Sequence, residues 1–256
     1  MCIRDRYKAV SKIYVDGKQT DEYTTRFGIR SIEIIADKGF FLNGKHRKFQ
    51  GVCNHHDLGP LGAAVNVAAL RRQLTLLKDM GCDAVRTSHN MPTPELVELC
   101  DEMGFMMMLE PFDEWDIAKC ENGYHRYFNE WAEKDIVNML HQYRNNNCVV
   151  MWSIGNECTE TTYEEAIAFA PDIVNWVKDV DEDHPVSMGE NKYKLDWSNP
   201  TIMKQVDDVL DLVGLNYGEA YYDSLHKEKP NWKIFGSETT STVSSCLLNT
   251  SPSPRD

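Results

Sequence analysis

Hydrophobic and polar side chains follow two different patterns along the chain. Residues 7–35 alternate loosely between apolar and polar positions, and Asp16-Gly17 within them is a hairpin turn signal. From about residue 49 onward, short apolar runs alternate with segments of helical period. We therefore expect the last strands of an all-β domain, followed by repeated strand–helix units. Such repeats imply a parallel sheet with right-handed crossovers.

The apolar runs of the second part predict seven strands. They cover residues 49–52, 84–86, 105–109, 149–153, 185–188, 212–215 and 232–235. A barrel of alternating strands and helices needs eight, so we expect an α/β fold, a (β/α)8 TIM barrel truncated after strand seven. A doubly wound sheet is the structural alternative. It calls for a Gly-rich phosphate loop after an early strand, which the sequence does not contain.

Two local signals give more detail. Asn43-Gly44 predicts a second tight turn after the apolar residues 40–42. A long helix is predicted over roughly residues 124–145, and its period turns Phe128, Trp131, Ile136 and Leu140 toward the core.

Composition and charge limit the possible partners. The 256 residues are 42% hydrophobic, so a sizeable core can form. The net charge of −13 argues against nucleic acid or an anionic membrane as the main partner. No apolar run approaches the roughly 18 residues of a membrane span, and no signal peptide is visible at the start. The compartment stays open between cytoplasm and periplasm.

The cysteines do not predict a metal site. None of the eight forms a C-x-x-C pair, and no Cys/His cluster has zinc spacing. Cys82, Cys100 and Cys148 lie in apolar strand or helix contexts, so we expect buried free thiols rather than disulfides. We predict no metal and no cofactor.

Both ends of the chain look foreign to this pattern. Residues 1–6 have no apolar period, and residues 246–256 form a Ser/Pro-rich tail. We expect both to be non-native and the chain to be a fragment. The expected division is residues 1–35 for the end of the all-β domain and 36–245 for an incomplete barrel.

Polar residues follow every predicted strand at its carboxyl end. In order, they are Asn54-His55-His56-Asp57, Arg86-Thr87-Ser88-His89-Asn90, Glu110 with Asp113 and Trp115, Asn156-Glu157, Glu190-Asn191, Asn216-Tyr217 and Ser237-Glu238. In barrels of this class the carboxyl ends of the strands form one rim, where the chemistry is located. We therefore expect these side chains to share one site.

Several carboxylates on one rim suit glycoside hydrolysis. One acid protonates the leaving oxygen while another supports the oxocarbenium-like centre. Other roles remain open for single residues. Glu157 could cap the next helix, Asp113 could cap a turn, and Arg86 could be a buried structural cation.

Five more residues have open alternatives. His55 and His56 could bind a metal, although neutral hydrogen-bonding histidines are favoured without a third ligand. Glu190 is a rival for either carboxylate role. Trp115 and Trp152 could stack on a sugar, with a core position favoured for Trp152.

With these residues assembled, the chain resembles glycoside hydrolase family 2 and, within it, the β-galactosidases. The similarity runs from about Arg26 to Ser241, and its most specific parts are four ordered motifs at strand ends. They are G-V-C-N-H-H-D at 51–57, V-R-T-S-H-N at 85–90, W-S-I-G-N-E at 152–157 and G-S-E at 236–238.

The resemblance implies a retaining exo-glycosidase that cleaves terminal β-D-galactosides through a glycosyl-enzyme. Glu157 matches the general acid/base and Glu238 the nucleophile, with carboxyl groups about 5–5.5 Å apart. Asn156 matches the residue that hydrogen-bonds the sugar 2-hydroxyl, and Tyr217 the tyrosine beside the nucleophile. The remaining matches to substrate-binding positions are Arg86, His89, His55 and Asp57. Residues 7–35 resemble the end of the immunoglobulin-like β-sandwich that precedes the barrel in this family.

The chain departs from the family pattern in two places. Relatives often have D-E-A-F-D at strand three, whereas residues 109–113 read L-E-P-F-D, so one acidic side chain is lost while Glu110 and the candidate substrate ligand Asp113 remain. Strand eight is also missing, which leaves the first and seventh strands unpaired. We expect such a fragment to be poorly stable and weakly active, whereas the parent can be oligomeric.

Three other functions stay open. A β-glucuronidase of the same family needs a cation for the sugar carboxylate. An inactive carbohydrate-binding barrel is disfavoured by the presence of both Glu157 and Glu238. A metal-dependent hydrolase requires a metal cluster around His55 and His56.

Overall fold

The structure is a computed structural model that describes residues 6–159, 164–191, 193 and 201–239. The two ends expected to be non-native, 1–6 and 246–256, lie outside this range except for Arg6. The described residues form a two-stranded sheet, a three-stranded sheet and a seven-stranded sheet.

The N-terminal part is an antiparallel hairpin of β1 (Arg6–Val15) and β2 (Lys18–Gly28). Asp16 and Gly17 join the strands, with φ angles of 50° and 77°. Two consecutive positive φ angles define the tight turn that matches the twist of paired strands. The hairpin predicted at Asp16-Gly17 is confirmed.

A three-stranded antiparallel sheet follows and covers one end of the larger sheet. It consists of β3 (Ile32–Ile35), β4 (Gly39–Leu42) and β5 (Lys45–Arg47). The turn between β4 and β5 is the predicted Asn43-Gly44. Phe40 and Leu42 of β4 are buried against side chains of the larger sheet, among them Met106, Met108 and Met151. This small sheet therefore forms an apolar floor on the side opposite the predicted rim.

The large sheet contains seven parallel strands. They are β6 (Gly51–His55), β7 (Ala84–Ser88), β8 (Met106–Leu109), β9 (Val149–Asn156), β10 (Val186–Glu190), β11 (Leu212–Asn216) and β12 (Ile234–Glu238). Neighbours in the sheet are neighbours in the chain from β6 to β12. A doubly wound sheet would instead reverse its strand order at a switch point. The sequential order confirms the predicted barrel topology.

Helices connect the strands and cover the outer face of the sheet. They are α1 (Val67–Asp79), α2 (Pro94–Met103), α3 (His125–Tyr143), α4 (Glu165–Lys178), α5 (Thr201–Asp207) and α6 (Tyr222–Glu228). The largest core cluster joins helix residues such as Leu74, Val97 and Ile136 to strand residues such as Val85 and Met107. Among the described helices, none combines the length and apolarity that crossing a membrane requires.

Contacts between distant strands show that the large sheet curls. β7 and β12 are five strand spacings apart, which in a flat sheet is about 24 Å. Arg86 at the end of β7 nevertheless contacts Glu238 at the end of β12 at 2.7 Å. Cys53 of edge strand β6 likewise places its Sγ 3.2 Å from the carbonyl oxygen of Ser237 on β12. The curl therefore brings the carboxyl ends of the strands together.

One side chain of α3 differs from the prediction. Trp131 was expected to face the core, but 43% of it is exposed. The inward position one turn after Phe128 is taken by Ala132, which is 1% exposed. Trp131 instead lies beneath Lys134, whose Nζ is 4.5 Å from the ring centroid. The prediction was wrong because the buried stripe follows a spacing of four residues at this point.

The cysteines of the described residues are free thiols, as expected, but Cys82 is less buried than its apolar context predicted. Cys100, Cys148 and Cys158 are buried, Cys53 and Cys82 are half-buried, and Cys120 is exposed.

Candidate active site

Two strands end in the same local structure, which directs a polar side chain inward. Glu157 follows β9 with a φ of 47°, and Tyr217 follows β11 with a φ of 55°. Such left-handed backbone costs a non-glycine residue about 1–2 kcal/mol. In both turns a hydrogen bond to the next strand holds the conformation, from Glu157 N to Gly189 O at 2.7 Å and from Tyr217 N to Glu238 O at 2.6 Å.

Arg86 lies at the centre of the rim and is 5% exposed. Its Nη1 donates to Glu238 Oε1 at 2.7 Å, and its Nη2 donates to Glu110 Oε2 at 2.7 Å and to Asn156 Oδ1 at 2.9 Å. Burial opposes the charge, but Glu110 and the other neighbours of Arg86 together outweigh it and raise the pKa of Arg86. Gly189 makes room for this guanidinium, since a Cβ there would lie 2.5 Å from Nη2.

Glu238 is surrounded by donors on both carboxylate oxygens. Oε1 accepts from Arg86 and lies 3.3 Å from His89 Nε2, while Oε2 accepts from the Tyr217 hydroxyl at 2.7 Å. Its side chain is 14% exposed, which leaves it accessible from the rim. A cation and hydrogen-bond donors stabilise the charged form of a carboxylate. This environment suits an accessible nucleophile whose direction is fixed.

Glu110 is fully buried and ties β7, β8 and β9 together. Its Oε2 accepts from Arg86 and, at 2.5 Å, from Ser153 Oγ, and its Oε1 lies 2.6 Å from His89 Nδ1. Burial acts to raise the pKa of Glu110, but Arg86, His89 and Ser153 outweigh it and lower that pKa. Glu110 therefore fixes Arg86 and His89, two of the side chains that contact Glu238.

Amide side chains connect the two candidate catalytic carboxylates. Asn216 Nδ2 donates to Glu157 Oε1 at 2.9 Å and to Asn156 Oδ1 at 3.0 Å. Asn156 Oδ1 also accepts from Arg86, which reaches Glu238. Ser237 Oγ fixes the orientation of Asn216 by donating to its Oδ1 at 2.6 Å. A continuous set of hydrogen bonds thus runs from Glu157 to Glu238.

Asp113 joins this network from the loop after β8. Its Oδ1 accepts from Asn156 Nδ2 at 3.0 Å and from Lys119 Nζ at 2.9 Å. Burial acts to raise the pKa of Asp113, but the hydrogen bonds from Asn156 and Lys119 lower it. Asp113 is 48% exposed, so it lies at the outer edge of the site.

The residues after β6 lie at the side of the site. His55 packs edge-on against the His89 ring, with centroids 5.0 Å apart. His56 Nε2 is instead 2.9 Å from the carbonyl oxygen of Ala63. Asp57 Oδ1 accepts from the backbone N–H of Gly59 at 2.5 Å, within its own loop. Of these three residues, His55 is therefore the one in contact with the central network.

Three alternatives drawn from the sequence can be compared with these positions. Trp115 and Trp152 are both 0% exposed, so the core position holds for both and stacking on a sugar is excluded. Trp115 Nε1 donates to the backbone of Ile154 at 2.8 Å. Glu190 is 1% exposed, which makes it a poor rival to Glu238. Within the described ranges, no group of three His, Cys, Asp or Glu side chains could hold a metal ion.

The sequence-based set of candidate site residues omitted five members of the network, namely Glu110, Asn216, Ser237, Lys119 and Ser153. Glu110 was expected on the shared rim but was given no role there, although it is the least exposed charged side chain of the site. Asn216 precedes Tyr217 as Asn156 precedes Glu157, and that repeat could have revealed it. Lys119 and Ser153 had no comparable signal, because their contacts depend on how loops and strands meet.

Comparison with known proteins places this site in a family. Residues 33–240 match the family described as "Glycosyl hydrolases family 2, TIM barrel domain". The "Beta-galactosidase BoGH2A" of Bacteroides ovatus is 40% identical over 242 residues, which cover 82% of this chain and 28% of that protein. A "Putative beta-glucuronidase" of Formosa agariphila is 39% identical over 168 residues, covering 65% and 16% respectively. The chain thus spans less than a third of either relative.

Solved structures agree with this comparison. A glycosyl hydrolase family 2 member from Bacteroides cellulosilyticus superposes with a TM-score of 0.86 at 35% identity, over 91% of this chain and 29% of that one. A beta-glycosidase from Bacteroides vulgatus gives 0.78 at 36% identity, over 90% and 28%. The sequential parallel sheet, the strand-end motifs and these matches agree: the chain belongs to glycosyl hydrolase family 2 and carries its TIM barrel domain.

Proposed function

We propose that this chain is the catalytic part of a retaining exo-glycosidase that acts on terminal β-D-galactosides. The observation that carries the proposal is the pair Glu157 and Glu238 on one rim, joined by hydrogen bonds yet placed in different surroundings. Glu238 contacts the guanidinium of Arg86, whereas Glu157 accepts from the neutral amide of Asn216. Two carboxyl groups in unlike environments suit the separate roles of nucleophile and acid.

In the first step, Glu238 attacks the anomeric carbon while Glu157 donates its proton to the glycosidic oxygen. The bond from the anomeric carbon to that oxygen breaks, and the aglycone leaves as a neutral alcohol. A covalent ester between the sugar and Glu238 remains. Arg86 and Tyr217 hold the attacking carboxylate by one oxygen each, which fixes its direction.

In the second step, Glu157 acts as a base. It takes a proton from a water molecule, whose oxygen attacks the anomeric carbon and releases the Glu238 carboxylate. Two displacements at the same carbon return the original β configuration. We assign substrate binding to Asn156, His89 and His55, whose side chains surround this pair, and to Asp113 at the outer edge.

The galactoside specificity is supported by the relative that is 40% identical and named a beta-galactosidase. A glucuronide is the alternative, supported by the 39% identical relative named a putative beta-glucuronidase. A glucuronide adds a carboxylate to the sugar, so it requires a further cation in the site. A direct assay with both substrates therefore distinguishes a galactosidase from a glucuronidase.

A panel of aryl β-glycosides tests the proposal, with the galactoside, glucuronide, glucoside and mannoside of the same phenol. We expect the highest kcat/KM for the galactoside. Glu238→Gln should lose activity on every leaving group. Glu157→Gln should lose roughly 10²–10⁴-fold on a nitrophenyl galactoside but keep kcat/KM on a dinitrophenyl galactoside, whose phenolate leaves without a proton.

Glu102→Gln is the matched control, because this glutamate is exposed and pairs with Arg71 on the surface. It should behave as wild type. Preference for the glucuronide would replace the galactoside assignment, while binding of galactosides without turnover would indicate an inactive carbohydrate-binding barrel. Full activity of both Gln variants at positions 157 and 238 would refute the mechanism.

A further inference from the structure

Lys119 makes two contacts that connect the loop after β8 to the end of β9. Its Nζ donates to Asp113 Oδ1 at 2.9 Å and to the backbone carbonyl oxygen of Asn156 at 2.7 Å. Its side chain is 23% exposed, so the ammonium lies at the rim rather than in the core. The carbonyl that it contacts belongs to the peptide bond between Asn156 and Glu157.

That peptide bond is held at both ends. Lys119 holds the carbonyl oxygen, and the N–H of Glu157 donates to Gly189 O at 2.7 Å on the neighbouring strand. Because a peptide unit is planar, fixing both groups fixes the plane from which Glu157 departs. Glu157 itself has a φ of 47°, a conformation that needs such support. The direction of its carboxyl group therefore depends on this plane.

A buried glutamate, Glu114, holds the backbone of the loop after β8 and so fixes the position of Lys119. Glu114 is 3% exposed, and its Oε2 accepts from the backbone N–H of Lys119 at 2.6 Å. Its Oε1 accepts from the backbone N–H of His125 at 2.9 Å and lies 2.9 Å from His125 Nδ1. Burial acts to raise the pKa of Glu114, but these hydrogen bonds lower it. Gly123 lets the chain pass close to this carboxylate, since a Cβ there would lie 1.8 Å from Glu114 Oε1.

We infer that Lys119 is a positioning residue for Glu157: its ammonium fixes the Asn156–Glu157 peptide and so aims the proton-donating carboxyl at the glycosidic oxygen. The inference rests on the proposed function for its chemical meaning. Lys119 acts through the backbone and does not contact the reacting atoms. Its loss should therefore impair proton donation and leave the attack by Glu238 intact.

The test compares leaving groups in the full chain. Lys119→Met should lower kcat/KM, which reports the first step, by about ten- to hundredfold on a phenyl galactoside. On a dinitrophenyl galactoside, which needs no proton, the same variant should stay within about threefold of wild type. Lys119→Arg, which keeps the charge and the donors, should recover part of the loss. Lys134→Met, which removes a lysine above Trp131, is the control and should change neither substrate.

Several results would overturn the inference. If Lys119→Met lowered kcat/KM equally on both substrates, Lys119 would have a merely structural role. If kcat/KM stayed unchanged on both, Lys119 would have no role in positioning Glu157. A crystal structure of Lys119→Met gives an independent answer, in which we expect the Asn156–Glu157 peptide to rotate and the Glu157–Asn216 hydrogen bond to break. An unmoved peptide would contradict the inference even if the wild-type chain hydrolysed no glycoside. If the peptide rotated but the wild-type chain hydrolysed no glycoside, the proposed function alone would fail.

Discussion

Replacing Arg86 by methionine tests how the buried network is stabilised. Methionine keeps an unbranched stem but removes the guanidinium that Glu110, Glu238 and Asn156 share. Arg86 is 5% exposed and Glu110 is 0% exposed, so the substitution leaves a buried carboxylate without its cation. Removing one partner of a buried ion pair costs about 3–5 kcal/mol. For a chain of this size that lowers Tm by roughly 6–20 °C.

The loss should depend on pH with a defined sign. In the wild type, burial acts to raise the pKa of Glu110, but Arg86, together with His89 and Ser153, outweighs it and that pKa is lowered. A carboxylate with a lowered pKa stabilises the folded state above its unfolded pKa, and this stabilisation is lost as the pH falls. Without Arg86, burial dominates and the pKa of Glu110 rises. The variant should therefore become more stable as the pH is lowered from 8 to 5.

Urea and thermal unfolding at pH 5 and pH 8 measure both effects. Arg71→Met is the matched control, because Arg71 also contacts a glutamate with both Nη atoms, at 3.1 and 2.8 Å, but with both side chains about half exposed. Such an exposed pair contributes little, so this control should unfold as the wild type does. A loss below about 1 kcal/mol for Arg86→Met, within the range of exposed pairs, would refute the reasoning. An equal loss at both pH values would refute it as well.

Two further substitutions test other parts of the barrel. Gly189→Ala places a Cβ 2.5 Å from Arg86 Nη2, well inside the 3.4 Å of ordinary contact, and should cost about 1–3 kcal/mol. Urea unfolding and kcat/KM on an aryl galactoside should both fall, and an alanine variant equal to wild type would contradict this. Asp207 is buried beside Tyr193, and burial raises its pKa to about 7. The free energy of unfolding of the wild type should therefore fall by about 1.4 kcal/mol per pH unit as the pH rises from about 4 to 7. Asp207→Asn should then raise Tm by more at pH 8 than at pH 5, whereas an equal change at both values would argue against it.

The sequence was sufficient to predict the strands and the rim. Short apolar runs and turn pairs such as Asp16-Gly17 are local signals, and strand order follows from repeated strand–helix units. Polar residues at carboxyl ends then had to converge once the sheet curled. This is why Glu157 and Glu238, 81 positions apart in the chain, were expected on one rim, whereas their separate roles came from the family resemblance.

Contacts across the sheet and within loops could not be predicted in the same way. Arg86 contacts residues that lie 24, 70 and 152 positions further along the chain. Which of these neighbours are buried depends on the register of strands β7 to β12. Lys119 reaches Asn156 across 37 positions from an irregular loop that is shaped by Glu114. Trp115 was a candidate sugar platform because a strand-end position does not reveal that the following loop turns its ring into the core.

The hydrogen bonds that join Glu157 to Glu238 also limit how this site can change by mutation. Substitutions at residues in one network are not additive, with interaction energies of about 0.5–3 kcal/mol. A change at Asn216 alters the partner of Glu157 and, through Asn156, the surroundings of Arg86. Single steps inside the network therefore meet strong epistasis. Divergence toward new glycosides should proceed through the loops around the rim, where a substitution disturbs fewer shared partners.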